Sequence, residues 1–247
     1  MHGCGNDYVY VSHAVENPQR FSKFVSDRHK GIGADGLVLI LPCENADAEM
    51  RMYNSDGSEG SMCGNAIRCV AKWLFDNEYV KNSNIQISTK SGIKTVVYDE
   101  KTSTAKVDMG KPTVLSKGFV NHIDVGNPHA VIFCNDVDGL DLDAIGPFFE
   151  KSSYFKNGVN TEFVQVIGRN HLKMRVWERG SGETMACGTG AVASATAAVL
   201  HDFCDEDKDI IVELGGGELV INITDDTAFL IGSATTVYTG DIEYEDK

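Results

Sequence analysis

The strongest constraint in this sequence is a repeat, 124 residues apart, that delivers a cysteine twice. MRMYN (Met50–Asn54) leads through a Gly/Ser-rich stretch to Cys63-Gly64, and MRVWE (Met174–Glu178) leads at the same interval to Cys187-Gly188. The offset holds at several landmarks: 187 − 63 = 124, 188 − 64 = 124, 183 − 59 = 124 and 175 − 51 = 124. Gly5-Asn6 before YVYV and Gly126-Asn127 before HAVIF keep nearly the same spacing, 126 − 5 = 121. Several matches in one order imply duplication of a whole unit of roughly 115–120 residues. Two domains are therefore expected, 1–116 and 117–235, with the linker near Lys111–Gly118 and a C-terminal strand at 236–247 completing the first domain.

Each half reads as strand-rich with one helix behind its cysteine. Tyr8–Val11, Leu37–Leu41, Glu49–Tyr53, Ile85–Thr89, Lys94–Tyr98 and Ala105–Met109 have strand character in the first half. His129–Phe133, Glu162–Ile167 and Lys173–Trp177 repeat it, and Ile210–Leu214 and Glu218–Ile223 form a hairpin around the Gly215–Gly217 run. Asn17-Pro18 is an N-cap followed by a first-turn proline, opening a helix toward Arg28. Asn65–Phe75 has apolar residues spaced by three and four, the period of a half-buried helix. Gly188–Leu200 is small or apolar all the way round, which predicts a buried helix that surrounding sheet can approach closely.

Composition removes several classes of function. The formal charge is −14, and nucleic acid needs a basic surface, so nucleic-acid binding is not expected. The longest apolar runs, such as Leu37–Pro42, are too short to span a bilayer, and MHGCGNDYVYV has no signal-type core. A cytoplasmic protein without a membrane partner is expected; a homodimer is compatible with the sequence, which does not fix the oligomeric state. Seven scattered cysteines, at 4, 43, 63, 69, 134, 187 and 204, do not resemble a secreted disulfide scaffold, and no C-x-x-C occurs. Cys63 and Cys69 are six apart, about 240° around a helix, so one helix cannot direct both at one metal.

GIGADG (Gly31–Gly36) spells G-x-G-x-x-G, but a dinucleotide fingerprint needs a strand before it and a helix after it. Here the order is reversed, and the glycines are expected to make tight turns. Cys63 and Cys187 carry more information. Each lies between a glycine-rich turn and a helix start, where unpaired N–H groups and about half a positive charge are presented. Such a setting is expected to lower a thiol from ~8.5 into roughly the 3.5–7.5 range. Two such ends aimed at one point would neutralise a carboxylate without lysine or arginine, which suits an acidic protein with an anionic substrate. The chemistry this fits is inversion at an amino-acid α-carbon: one thiolate removes the proton from one face and the other thiol returns a proton to the opposite face.

NSDGSEGSMCGNAIRC (Asn54–Cys69) and ERGSGETMACGTGAVAS (Glu178–Ser194) resemble the two active-site signatures of the diaminopimelate epimerase family. HGCGND (His2–Asp7), GIGADG, GNPHAV (Gly126–Val131) and NGVNTEFV (Asn157–Val164) are similar to that family's other blocks, in order, over nearly the whole chain. The resemblance implies an α+β fold of two pseudo-symmetric domains, each a curved, mostly antiparallel sheet or open barrel around a central helix, with the active site in the cleft between them. It implies conversion of LL- to meso-2,6-diaminopimelate, for lysine and peptidoglycan synthesis, with neither metal nor pyridoxal phosphate as cofactor. By position it makes Cys63 and Cys187 the acid/base pair and the backbone amides of Gly64, Asn65, Gly188 and Thr189 the cradle for the reacting carboxylate. It assigns Asn6, Asn54, Asn127, Asn160, Glu178 and Arg179 to the rest of the substrate, with His129 as a supporting polar group.

Three departures from the family pattern are visible. The chain opens directly at MHGCGND, where members usually carry a short strand first, so either the start is truncated or the first sheet lacks an edge there. Gly36 stands where some members place a substrate-touching glutamine, and CGNAIRC replaces the commoner CGNGARC. Two other readings compete. Another cofactor-independent racemase on this scaffold is one, although proline-racemase types usually carry CGH where this chain has Asn65. The other is a non-catalytic module whose two cysteines form a reversible disulfide.

Overall fold

A computed structural model of the chain describes residues 1–244. They pack as two units, Met1–Val107 with the segment from Ser233 onward, and Asp108–Gly232. The first unit contains β1 (His2–Gly3), β2 (Asn6–Asp7), β3 (Val9–Val11), α1 (Pro18–Ser26), β4 (Gly36–Leu41), β5 (Ala48–Asn54), β6 (Glu59–Gly60), α2 (Gly64–Asp76), β7 (Asn84–Thr89) and β8 (Gly92–Asp99). It ends within β9 (Thr104–Gly110). The second contains β10 (Thr113–Ser116), β11 (Asn121–Asp124), β12 (Pro128–Phe133), α3 (Leu142–Glu150), β13 (Asn160–Gly168), β14 (His171–Glu178), β15 (Gly182–Thr184), α4 (Gly188–Leu200), β16 (Asp209–Leu214), β17 (Gly217–Ile223) and β18 (Ala228–Ser233).

The duplication is written in the strand pairing. In the first unit β3 and β4 are parallel, β4–β5 antiparallel, β5–β7 parallel, and β7–β8 and β8–β9 antiparallel. The second unit repeats every sense in the same order through β12, β13, β14, β16, β17 and β18. Its additional strands β10 and β11 extend that sheet antiparallel beyond β12. In each unit one helix crosses between the first parallel pair and a second helix follows the cysteine.

Local chemistry explains these elements. Asn17 caps α1 by accepting from the Arg20 N–H at 3.2 Å, and Pro18 loses no hydrogen bond at the first turn. α1 buries Phe21 and Val25 against Leu37, Leu39 and Tyr53. Each such side chain contributes about 1.5–3 kcal/mol of burial. The motif GIGADG lies between α1 and β4, the order its sequence context predicted. Gly33 has φ +84°, and a Cβ at Gly36 would lie 2.1 Å from the Tyr53 carbonyl oxygen across the β4–β5 ladder. α4 is buried on nearly every side, from Gly190 through Ala198, with β11, β12, β13, β14, β16 and β17 all packed on it. Its alanines and glycines let backbone come close from all round, as the sequence pattern implied.

Two sequence expectations need correction, and one helix lies where none is expected. Lys111–Gly118 is not a free linker, because Thr113–Ser116 forms β10 and pairs with β11. Helix α3 is hard to see in the sequence, because Gly146 and Pro147 interrupt its helical pattern. The segment from Ser233 does pack with the first unit, but 236–244 forms no strand. The segment is tied by a bridge between His2 and Thr235, by the Ser233 carbonyl accepting from Arg68, by the Ala234 N–H donating to the Ser103 carbonyl at 3.2 Å, and by the Tyr244 ring against Phe21 and Phe24. The rest of the expected strand, 245–247, lies outside the described residues.

Candidate active site

Cys63 is the N-cap of α2 and Cys187 the N-cap of α4, each extended in backbone and each followed by glycine as the first helical residue. The N–H groups of Gly64, Asn65, Gly188 and Thr189 therefore belong to first turns, which lack intrahelical acceptors. The two thiols differ in what they touch. Cys187 Sγ accepts from the Gly190 N–H at 3.4 Å and lies 3.4 Å from Thr189 Oγ1. Cys63 makes no side-chain capping bond and instead donates to Asn6 Oδ1 across 3.4 Å.

Around Cys187 the second unit builds a polar cluster. β12 carries His129 and β13 carries Glu162, neighbours on the parallel pair and both fully buried. His129 Nδ1 is 2.7 Å from Glu162 Oε1, and His129 Nε2 is 3.1 Å from Asn127 Oδ1. Asn127 Nδ2 donates to Thr189 Oγ1 at 3.4 Å, which links the cluster to the start of α4. Glu178, at the end of β14, accepts from the Thr184 hydroxyl and is within hydrogen-bond reach of Cys187. Asn160 Oδ1 accepts from the Arg179 N–H at 2.9 Å, and Arg179 Nη1 donates to the Asn157 carbonyl at 2.9 Å. The Arg179 side chain is on the surface.

In the first unit, Asn6, Cys63 and Asn65 come together, with Asn65 Nδ2 donating to Asn6 Oδ1 at 3.3 Å. Asn54 ends β5 and donates to Ser58 Oγ at 2.9 Å, without a bond to that group. Arg68, fully buried on α2, donates to the Gly64 carbonyl at 2.9 Å, to Asn65 Oδ1 at 3.0 Å and to the Ser233 carbonyl at 3.2 Å. Sequence reasoning did not single out Arg68, Asp35 or Glu162, although all three lie inside the quoted blocks.

The electrostatics revise one expectation. The helix start was expected to lower the Cys187 thiol, yet burial drives it well above its ordinary value, with Glu178 and Glu162 adding repulsion. Hydrogen bonds from Thr189 and Gly190 oppose this without prevailing. Desolvation of a thiolate with carboxylates beside it outweighs a helix end. Glu178 is itself pushed up, first by burial and then by Glu162. Burial also raises Cys4, Cys69, Cys134 and Cys204, as suits inert packing thiols. Among the described residues no helix is long and apolar enough to cross a membrane. Among them, no group of three or more His, Cys, Asp or Glu is placed to hold a metal ion.

Solved structures share this architecture. A phenazine biosynthesis protein of the PhzF family from Bacillus anthracis aligns with TM-score 0.75 at 15% identity, over 94% of this chain and 92% of that one. A hydroxyproline epimerase from Agrobacterium vitis aligns with TM-score 0.67 at 13% identity, over 94% and 87%. At such identities the likeness concerns the fold alone, and it is the two-domain epimerase fold. Sequence likeness is far closer. The pattern that defines the diaminopimelate epimerase family matches residues 1–115 and 121–243. The diaminopimelate epimerase of Methanococcus maripaludis is 46% identical over 98% of both chains, and that of Acetivibrio thermocellus is 44% identical over 100% of this chain and 98% of the other. The chain belongs to the diaminopimelate epimerase family.

Proposed function

We propose that this protein interconverts LL- and meso-2,6-diaminopimelate, as a cytoplasmic enzyme supplying lysine and peptidoglycan precursors. The observation that carries the reading is the repeated helix start, which puts one cysteine at the N-cap of each duplicated helix in a chain of this family. In the reaction, one cysteine as thiolate takes the α-proton and becomes a thiol. The other cysteine, initially a thiol, gives its proton to the opposite face and becomes the thiolate. No proton is gained or lost, and the protein ends with the two cysteines exchanged. The N–H groups of Gly64, Asn65, Gly188 and Thr189 hold the reacting carboxylate and stabilise charge that builds on it as the proton leaves. Asn6, Asn54, Asn127, Asn160, Glu178 and Arg179 bind the remainder of the substrate, and His129 supports the Cys187 cluster through Asn127.

The raised Cys187 thiol fits this role. Its proton must leave before it can act as a base, and Glu178 lies within hydrogen-bond reach to receive it. A substrate ammonium beside Glu178 would offset the carboxylate charge that opposes thiolate formation. The test is direct. The purified protein is incubated with LL-diaminopimelate in D₂O, with α-deuterium and the meso isomer followed by NMR. Wild type is expected to form both. Cys63→Ala and Cys187→Ala are each expected to lose epimerisation while staying folded. A single mutant turning over near the wild-type rate would rule out the two-base reaction.

A further inference from the structure

Asp35 lies in the one sequence motif, GIGADG, to which the proposed chemistry gives no role. Its Oδ2 accepts from Asn6 Nδ2 at 2.7 Å and from the Asp7 N–H at 3.1 Å, and its Oδ1 accepts from Arg28 Nη2 at 3.2 Å. With Nδ2 engaged there, Asn6 turns Oδ1 toward Cys63 and Asn65, both of which donate to it. Asn65 is fixed in turn, because its own Oδ1 accepts from Arg68. The donors therefore run one way, from Arg68 through Asn65 and Asn6 to Asp35. A guanidinium has only donors and an ionised carboxylate only acceptors. Neither end of the chain can reverse, so neither amide between them turns over.

The second unit supplies a built-in comparison. Thr189 is the repeat counterpart of Asn65, 189 − 65 = 124, and Asn127 is the counterpart of Asn6. The Asn127 amide faces the other way, with Oδ1 toward His129 and Nδ2 donating to Thr189. Where the first unit uses a carboxylate to orient its asparagine, the second uses an imidazole seated on Glu162. Cys63 consequently meets the Asn6 carbonyl, with the Tyr8 phenol also in hydrogen-bond reach, whereas Cys187 meets an N–H, a hydroxyl and the Glu178 carboxylate.

We propose that Asp35 is a positioning residue: it anchors the Asn6 amide so that its carbonyl faces Cys63, which favours the thiol of Cys63 over the thiolate. The inference deepens, and rests on, the reading of Cys63 as a proton-transfer group. Tyr8 and Tyr10 face Cys63 as phenols pushed up by burial and stay neutral across the working range; the Tyr8 phenol, within hydrogen-bond reach of both Cys63 and Asn6, donates to a thiolate and so opposes the Asn6 carbonyl. The charged groups on the far side of Asn6 are Asp35, Asp7 and Arg28.

The experiment measures iodoacetamide alkylation of Cys63 in the full chain, by peptide mapping after short pulses from pH 6 to pH 10. Asp35→Ala removes the anchor and is expected to raise the Cys63 rate at pH 7 about tenfold, one unit in midpoint. Asp35→Asn removes the charge but keeps an acceptor in place, and is expected to stay within about twofold of wild type. Equal shifts in the two variants would mean charge acting through space, and no shift in Asp35→Ala would mean no role; either result overturns the proposal. If Asp35→Ala does not fold, Asn6→Ala removes the same carbonyl from beside the thiol. It is expected to give the same increase, and an unchanged rate there also overturns the proposal. Alkylation needs no turnover, so an inactive wild type would count against the epimerase reading and leave this result standing.

Discussion

Cys187 is surrounded by groups that resist its ionisation, and Glu178 shares that burden. Burial is the largest cause of the raised Glu178 value, so the native state keeps this proton to higher pH than the unfolded chain does. Stability therefore falls as pH rises from the ordinary carboxylate value through the raised one, and the full penalty is present above it. Glu178→Gln removes the penalty while keeping an acceptor for Thr184. It is expected to lower kcat by about 10²–10⁴, the range for a lost acid/base group. The same variant is expected to melt higher than wild type, with a margin that widens from pH 4 to pH 8. Calorimetry across that range checks it, and a constant margin would contradict the sign argued here. At this scale the cysteines were legible because the repeat marked them twice. Glu162 was not, since a lone glutamate in a strand looks like a solvent-facing residue. Its burial follows only once the parallel β12–β13 pair puts it beside His129.

The elements show how far the repeat could have been pushed. Asp141 caps α3 as Asn17 caps α1, and 141 − 17 = 124. That offset would have located α3 despite Pro147. β10 had no comparable signal: three of its four residues are exposed, and its pairing with β11 is a contact that local patterning does not encode. α4, by contrast, was plain from its uniform apolarity. One of its residues carries a prediction. Alanine in a helix interior ordinarily gains about 1 kcal/mol over glycine. At Gly190 the added Cβ would sit 2.6 Å from Glu162 Oε1 and 3.2 Å from its Cδ. That carboxylate is fully buried and tied to His129, so it cannot swing away. Overpacking of this kind costs about 1–3 kcal/mol. Gly190→Ala is expected to be net destabilising, with a lower urea midpoint at unchanged slope. A stabilised variant would mean that the Glu162–His129 pair yields easily.

At the scale of the whole molecule, the first unit takes chain from both ends of the sequence and the second is continuous. The returning segment matters energetically. The Ser233 carbonyl accepts from buried Arg68, His2 and Thr235 exchange two backbone hydrogen bonds of 2.9 Å, and Tyr244 covers Phe21 and Phe24. Leaving one buried donor unsatisfied costs about 1–3 kcal/mol. A chain ending at Gly232 is expected to lose order in the first unit while the second stays folded. The two tryptophans report separately, Trp73 on α2 and Trp177 on β14. In the shortened chain Trp73 emission should shift to the red at temperatures where Trp177, isolated by Trp73→Phe, remains blue. Coincident transitions would show that the tail does no such work. Synthesis gives this layout a second meaning. Most chains start folding at the end that leaves the ribosome first. Here residues from Ser233 onward emerge only after the entire second unit, so the part translated first is the part finished last. A chain released before Ser233 is expected to carry a folded second unit joined to an incomplete first unit. To a protease that cuts unfolded chain, the first unit is open until the segment from Ser233 has been made.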